Sequence, residues 1–551
     1  MERTFHTHRI RKGRECAPVW TLTTPDPGGL DHPVKVMVPG VWEAHPALRS
    51  YRGRGIYETT GIGGGNVRVS CGGVSFRAKV YLDGKFLTEH YGAYTGFEAV
   101  VRDLPRGEHR LRVEVDNRFG EDSALHVPND YYAYGGINRP VIVEELPEAY
   151  IVGCRVTPRR TPYGWSADAE VTVRSLSDEP FDGVLTVSVA GQERSCPVRL
   201  APGGTGGFSL EVTCGRVAAW SPERPRLYTV KTVLSAGGTD IDDLIDRIGF
   251  REIRVEGKRI LLNGRPLRLK GFNRHEELGS FGLSVPLEAM MRDVYLMRDM
   301  GANCVRTCHY PNDPRFLDLC DEIGLLVWEE SHARGFSEEQ MRHPMFMQQV
   351  RKCTEEMVEQ HYNHPSVFIW GCLNECADDT PCGAACYREI LSLLRRSDST
   401  RPATAALLER PGSLVFGDVD VLSINMYPGW YRDESTSDAL KRKKQEIAEH
   451  GGQGKPLIIS EIGAGAVFGY HDPFGESKWS EERQSAILEE QLRAVLSDPD
   501  VSGVFVWQFA DCRVDDKWAL MRPRTYNNKG VVDEYRRPKN AYWTVKSLFR
   551  G

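Results

Sequence analysis

From about Arg251 onward the sequence alternates eight times between a short apolar run and a longer amphipathic stretch. The runs are LRLKGFNRHE, ANCVRTCHY, GLLVWEE, SVFIWGCLNE, ATAAL, VDVLSINMY, PLIISEIGA and GVFVWQFAD. Stretches between them, such as PLEAMMRDVYLMRDMG and SEERQSAILEEQLRAVLS, place apolar residues at i, i+3 and i+4. That is the period of a helix buried along one face. Eight β-then-α units in about 300 residues predict a (β/α)8 barrel. A doubly wound open sheet is the rival arrangement, but no GxGxxG or Walker sequence opens any unit. No internal repeat of solenoid length is present.

Upstream, helical periodicity is absent. RAKVYLDGKFLTEH carries two strand runs around Asp83-Gly84, a hairpin turn pair. LRVEVDNR alternates Leu111, Val113 and Val115 with polar residues, the period of a strand with one buried face. VTVRSLSDEPFDGVLTVSVAG and LYTVKTVLSAGG continue the same pattern. Each half has the size of a β-sandwich. The expected organisation is one β-sandwich over 1–145, a second over 146–253 and the barrel over 254–551.

Composition narrows the function. With 70 Lys+Arg against 76 Asp+Glu, the net charge is −6, which argues against a predominantly basic nucleic-acid binder. No run reaches the ~18 apolar residues of a membrane helix, and MERTFHTHRIRKGRECAPVW lacks the apolar core of a secretory signal. The 14 cysteines are scattered, several inside apolar runs. They predict free thiols and a cytoplasmic protein. Cys372, Cys376, Cys382 and Cys386 crowd together, but not at CxxC spacing, so zinc is not expected there.

Active residues of such barrels project from the C-terminal ends of the strands. Seven of the eight runs end in polar or aromatic groups: Asn273 to Glu276, then Arg306, His309 and Tyr310, then Glu329, Glu330, His332 and Arg334, then Asn374-Glu375, Asn425 and Tyr427, Glu461, and finally Trp507 and Asp511. Glu375 and Glu461 follow apolar runs directly and stand three strands apart, so both can face one mouth. Two carboxylates about a glycosidic bond are what retaining hydrolysis requires. Trp370, Tyr427, Trp430, Tyr431 and Trp507 suit stacking on sugar faces. His332 reads as structural.

GFNRHEE, NCVRTCHYPND, NHPSVFIWGCLNE and ISEIGA together resemble glycoside hydrolase family 2. PGVWE and YLDGKFLTEHYGAYTGF resemble that family's N-terminal sugar-binding jelly roll, and WSPERPRLYTV the end of its immunoglobulin-like domain. The resemblance implies that Asn374-Glu375 is the acid/base pair and Glu461 the nucleophile. The hydrolysis requires no cofactor or metal, and the resemblance implies a homo-oligomer, dimer or tetramer.

Within the family, Asn527-Asn528-Lys529-Gly530 fits the N-x-K-G pattern of β-glucuronidases, whose Asn and Lys bind the sugar carboxylate. A carboxylate entering a site with two glutamates needs a fixed cation, which Lys529 supplies, with Asn527 as amide donor. INMYPGWY resembles the segment that places Tyr427 and Tyr431 in the pocket. NDYYAYGGINRPV resembles the jelly-roll loop that makes Asp130 a partner for a sugar hydroxyl. His275, His309 and Trp507 match pocket positions. WEESHARGF departs from the glucuronidase pattern by placing Arg334 beside the mouth. Arg334 either pairs with Glu329 or Glu330, or donates to the carboxylate or the C4 region of the sugar. The expected activity is exo-hydrolysis of β-glucuronides, β-galacturonides or both. The alternatives are a β-galactosidase without uronic-acid preference and a non-catalytic carbohydrate-binding homologue.

Overall fold

The structure, a computed structural model, describes residue 5 and residues 7–551. The first sandwich packs a four-stranded sheet on a six-stranded one. Asp83 and Gly84, at φ 50° and 81°, join the strands Arg77–Leu82 and Lys85–Tyr91 as the Asp-Gly pair predicts. Leu111, Val113 and Val115 all face the core, beside Trp20, Val67 and Val80. The second sandwich, a three-stranded sheet on a four-stranded one, encloses Ile151, Val171, Val173, Leu185 and Val187.

Eight parallel strands then close a barrel. They are β1 (Leu269–Asn273), β2 (Cys304–Thr307), β3 (Leu326–Glu330), β4 (Val367–Gly371), β5 (Ala403–Leu408), β6 (Val421–Asn425), β7 (Leu457–Ile462) and β8 (Val501–Val506). Seven helices of ten or more residues cover them: α1 (Leu287–Asp299), α2 (Pro314–Ile323), α3 (Phe346–His361), α4 (Pro381–Ser397), α5 (Thr436–Glu449), α6 (Glu481–Ser497) and α7 (Asn540–Arg550). Short strand ranges suffice because alternate side chains point inward. Leu269, Cys304, Leu326, Trp328, Ile369 and Phe505 fill the interior. Ile260 and Leu262, from the small sheet Ile253–Leu267 ahead of β1, join that cluster and close the end opposite the strand C-termini. Helix ends follow their sequence signals: α2 starts at Asp313, whose carboxylate accepts the N–H of Arg315, and stops at Gly324 with φ 84°.

One expectation fails. The β5–β6 connection, 409–420, carries no helix, so the units number eight strands but seven helices. Its sequence, ERPGSLVFGDVD, has Pro411 and Gly412 near its start and too few residues for a helix plus two turns.

The two sandwiches do more than hang from the barrel. The segment 129–139 of the first sandwich reaches the barrel mouth. Tyr94 stacks on Tyr310 at 3.9 Å with rings 5° from parallel, a contact of about 1 kcal/mol beyond its buried area. Arg139 donates to Glu276 at 2.9 Å, both side chains buried.

Candidate active site

The mouth has a floor built from strand ends. Arg306, the third residue of β2, is fully buried and radiates into four acceptors. It donates to both oxygens of Glu330 at 2.8 and 2.9 Å, to Asn273 Oδ1 at 2.8 Å, to Asn374 Oδ1 at 2.7 Å and to Glu461 Oε1 at 2.9 Å. A buried guanidinium loses hydration, but two carboxylates more than offset this, and its proton is held more tightly than usual. The hydroxyl of Tyr427 donates to Glu461 Oε2 at 2.6 Å. Even so, burial and the neighbouring charge of Glu375 push the Glu461 carboxyl up to about 7.

Glu375 sits above this floor. Asn425 Nδ2 donates to its Oε1 at 3.0 Å and to Asn374 Oδ1 at 3.1 Å. Ser460 in turn fixes Asn425 through a 2.7 Å bond to Oδ1. Leu373 and Glu375 both have positive φ, 47° and 51°. Such backbone costs about 1–3 kcal/mol per residue and persists where surrounding bonds over-determine it. Here the bonds are visible: the N–H of Asn374 reaches Ala333 O, that of Glu375 reaches Ala406 O, and that of Gly335 reaches Asn374 O. Asn374 Nδ2 is a buried donor without a hydrogen-bond partner.

Around the floor stand neutral rings. Trp507 stacks on His309 at 5.1 Å and meets His275 edge-on at 5.5 Å. His309 Nδ1 donates to Glu330 at 2.8 Å. Burial holds both imidazoles well below their ordinary range, reinforced by the charges of Arg306 and Arg334. His332 lies outside this set, 3.0 Å from the Tyr131 hydroxyl and among rings, as a structural residue should.

The opposite wall is cationic. Lys529 Nζ donates to the Tyr431 hydroxyl at 2.7 Å. Arg522 grips Asp130, with Nε at 2.7 Å from Oδ1, and its Nη2 is 3.4 Å from the Tyr431 hydroxyl. Asn527 Nδ2 donates to Asp130 Oδ2 at 3.1 Å. Asp130, which the sequence suggested as a partner for a sugar hydroxyl, thus accepts from Arg522 and Asn527. Burial would raise its pKa, yet Arg522, Lys529 and Arg334 outweigh this and keep it ionised. Behind Lys529, the Lys539 ammonium bonds Asp511 at 2.7 Å, Ala466 O at 2.7 Å and Asn528 O at 3.2 Å, while Asp511 also accepts the N–H of Gly530. That buried pair pins the Asn527–Gly530 turn from beneath.

Arg334 joins floor and wall. Its Nη2 lies 3.4 Å from Glu375 Oε2 and its guanidinium 5.6 Å above the Trp518 ring. It does not pair with Glu329 or Glu330. Glu329 instead bonds His361, and Glu330 belongs to Arg306. Arg334 reaches Glu375 because its backbone bridges that of Asn374, stitching the loop after β3 to the loop after β4.

Two aromatic expectations fail. Trp370 points outward to helix α4, donating to Asp398 at 2.9 Å. In the wholly apolar VFIWG strand the inward register is not marked by polarity. Trp430 packs on Trp479 behind the mouth. Sequence reading missed Arg522 and Asn129, and gave no role to Arg306 or Asn425 beyond their place at strand ends. For metals, His275, Cys308 and His309, and separately Asp318, Asp321 and His364, each bring three donor atoms within 4.8 Å of one another. Burial raises the Cys308 thiol far above its usual range, against a thiolate ligand, and Asp321 is bonded by His364 at 2.6 Å. Among the described residues, Cys372, Cys376, Cys382 and Cys386 form no such group.

Comparison with known proteins gives this geometry its context. Residues 253–551 match the family 2 glycosyl hydrolase TIM barrel domain, and residues 149–251 match a second family 2 glycosyl hydrolase domain. A family 2 β-galacturonidase from Eisenbergiella tayi, solved with galacturonate bound, is 49% identical, with a TM-score of 0.98 over 100% of this chain and 99% of that one. A β-D-glucuronidase structure from Dictyoglomus thermophilum is 26% identical, with a TM-score of 0.86 over 98% of this chain and 97% of that one. A relative from Formosa agariphila named as a putative β-glucuronidase is 28% identical over 87% of this chain, which spans 61% of that relative's length.

Proposed function

As the chain belongs to glycoside hydrolase family 2, we propose that it is a retaining exo-β-hexuronidase that removes terminal β-D-galacturonic acid in preference to β-D-glucuronic acid. The observation that carries this reading is the cationic wall ending in Arg334. Lys529 and Arg522 face one anion, Asp130, which leaves one positive charge for a sugar carboxylate. Arg334 adds a long donor 3.4 Å from Glu375, which this reading assigns to the axial C4 hydroxyl. The likeness to the Eisenbergiella tayi galacturonidase supports the same preference.

In this reading Glu461 attacks the anomeric carbon while Glu375 gives its proton to the glycosidic oxygen, and the aglycone leaves as an alcohol. The ester to Glu461 is then hydrolysed: Glu375 takes a proton from water, whose oxygen bonds the anomeric carbon, and Glu461 leaves as a carboxylate. Arg306 and Tyr427 hold the nucleophile in place and favour its ionised form. Asn374 Nδ2 offers a donor to a sugar hydroxyl, and Trp507 with His309 and His275 forms an uncharged face for the ring. No metal or cofactor enters these steps. Residues 1–145, 146–253 and 254–551 act as three units of a homo-oligomer, dimer or tetramer. Its place is the cytoplasm, in keeping with cysteines that are all free thiols.

The test is kcat/KM on p-nitrophenyl β-D-galacturonide, β-D-glucuronide and β-D-galactoside, for the wild type and Arg334→Ala. Galacturonide should be the best substrate, and Arg334→Ala should lower its kcat/KM by about 10–100-fold, the range of one charge-assisted bond, with a small change on glucuronide. A wild type that cleaves only the neutral galactoside would refute the reading.

A further inference from the structure

Asn129 belongs to the first sandwich, yet its side chain works inside the barrel mouth, where it is 5% exposed. Its Oδ1 accepts Nη1–H of Arg334 at 2.8 Å and the N–H of Asp130 at 2.8 Å. Its Nδ2 donates to the Arg334 carbonyl at 3.4 Å. Its own carbonyl accepts the N–H of Asp515 at 3.2 Å, from the segment after β8. One amide thus ties both the backbone and the guanidinium of Arg334, while the residue's own carbonyl ties it to the segment after β8. An arginine side chain has several rotatable bonds, and its directed donors are useful only when its planar head is oriented. With Nη1 held by Asn129 and the face resting over Trp518, Nη2 is left directed at the Glu375 side of the mouth.

We propose that Asn129 is a positioning residue for C4 selectivity, holding Arg334 so that Nη2 meets the axial C4 hydroxyl of a galacturonide. The inference rests on the reading of Arg334 as the C4 contact. A glucuronide carries that hydroxyl equatorially and does not use the contact, so loosening Arg334 should penalise one epimer alone. A role for Asn129 in stability only would affect both epimers together.

The experiment measures the galacturonide-to-glucuronide ratio of kcat/KM in Asn129→Ala, Asn129→Asp and Arg334→Ala. Misplacing a contact group is costly, so Asn129→Ala should lower the ratio about tenfold or more. Asn129→Asp keeps the acceptor oxygen for Nη1 and should hold the ratio within about threefold of wild type. Circular dichroism and the thermal midpoint report folding in each variant, and Asn129→Ser, too short to reach Arg334, replaces the alanine variant if that does not fold. An unchanged ratio in Asn129→Ala or Asn129→Ser, or an equal loss on both substrates, overturns the positioning role. If Arg334→Ala leaves the ratio unchanged, the C4 reading falls and this inference with it. If Arg334→Ala removes the preference and Asn129→Ala does not, only the positioning role falls.

Discussion

The floor and the cationic wall of the mouth are built by different means. The floor comes from strand ends of one barrel: Arg306, Glu330, Asn374, Asn425 and Glu461 sit within one or a few residues of regular β-structure and are bonded to one another. The wall comes from loops of two sandwich-and-barrel partners: Asn129 and Asp130 from one, Arg334, Tyr431, Arg522 and Lys529 from the other. On the floor, every charge has a partner inside the same frame. On the wall, the spare positive charge is offset only when an anion arrives. On the proposed reading, the chemistry therefore resides where geometry is most rigid, and the choice of sugar where the chain is easiest to vary.

Glu461→Ala should break the floor outright, lowering kcat about 10⁴-fold or more on every glycoside the enzyme cleaves. Retention of full activity would dismiss the double-displacement mechanism. Lys529→Ala should separate wall from floor. Loss of a buried charged partner is worth about 2–5 kcal/mol, so kcat/KM on uronides should fall about 10²–10³-fold. The neutral β-galactoside should be cleaved at nearly the wild-type rate, and a comparable fall there would merge the two regions. Tyr427→Phe is the subtlest probe. Its hydroxyl stabilises the Glu461 carboxylate, whose pKa burial and the charge of Glu375 still push up to about 7. Removing it favours the protonated form, so the acid limb of the kcat/KM–pH profile should move up by about one unit. A limb that stays put or moves down would show that Tyr427 does not set that ionisation.

The difference between the regions also explains what the sequence discloses. Glu375 and Glu461 are legible because each directly follows an apolar run, and the barrel's periodicity fixes where those runs end. The hairpin at Asp83-Gly84 is legible because only a few residue pairs fit that turn. The grip of Arg522 on Asp130 is not, since the two lie 392 positions apart and neither sits in a periodic segment. Arg334 shows the boundary between the two cases. Its proximity to the mouth follows from β3, but its choice of Glu375 over Glu329 and Glu330 depends on a backbone bridge to the next loop. Trp370 shows that a fully buried strand hides its own register, because both faces are apolar.

The clamp of Lys539 and Asp511 beneath the Asn527–Gly530 turn has a consequence for biosynthesis. Domains of a nascent chain fold as they emerge, N-terminal ones first. Both sandwiches and seven barrel strands leave the ribosome well before Lys539, as does Glu461. The turn carrying Lys529 acquires its lysine prop only when the segment leading into α7 has emerged and docked. On the proposed reading, a chain in mid-synthesis therefore holds its nucleophile, Glu461, before the turn that carries the sugar-carboxylate contact Lys529 is propped.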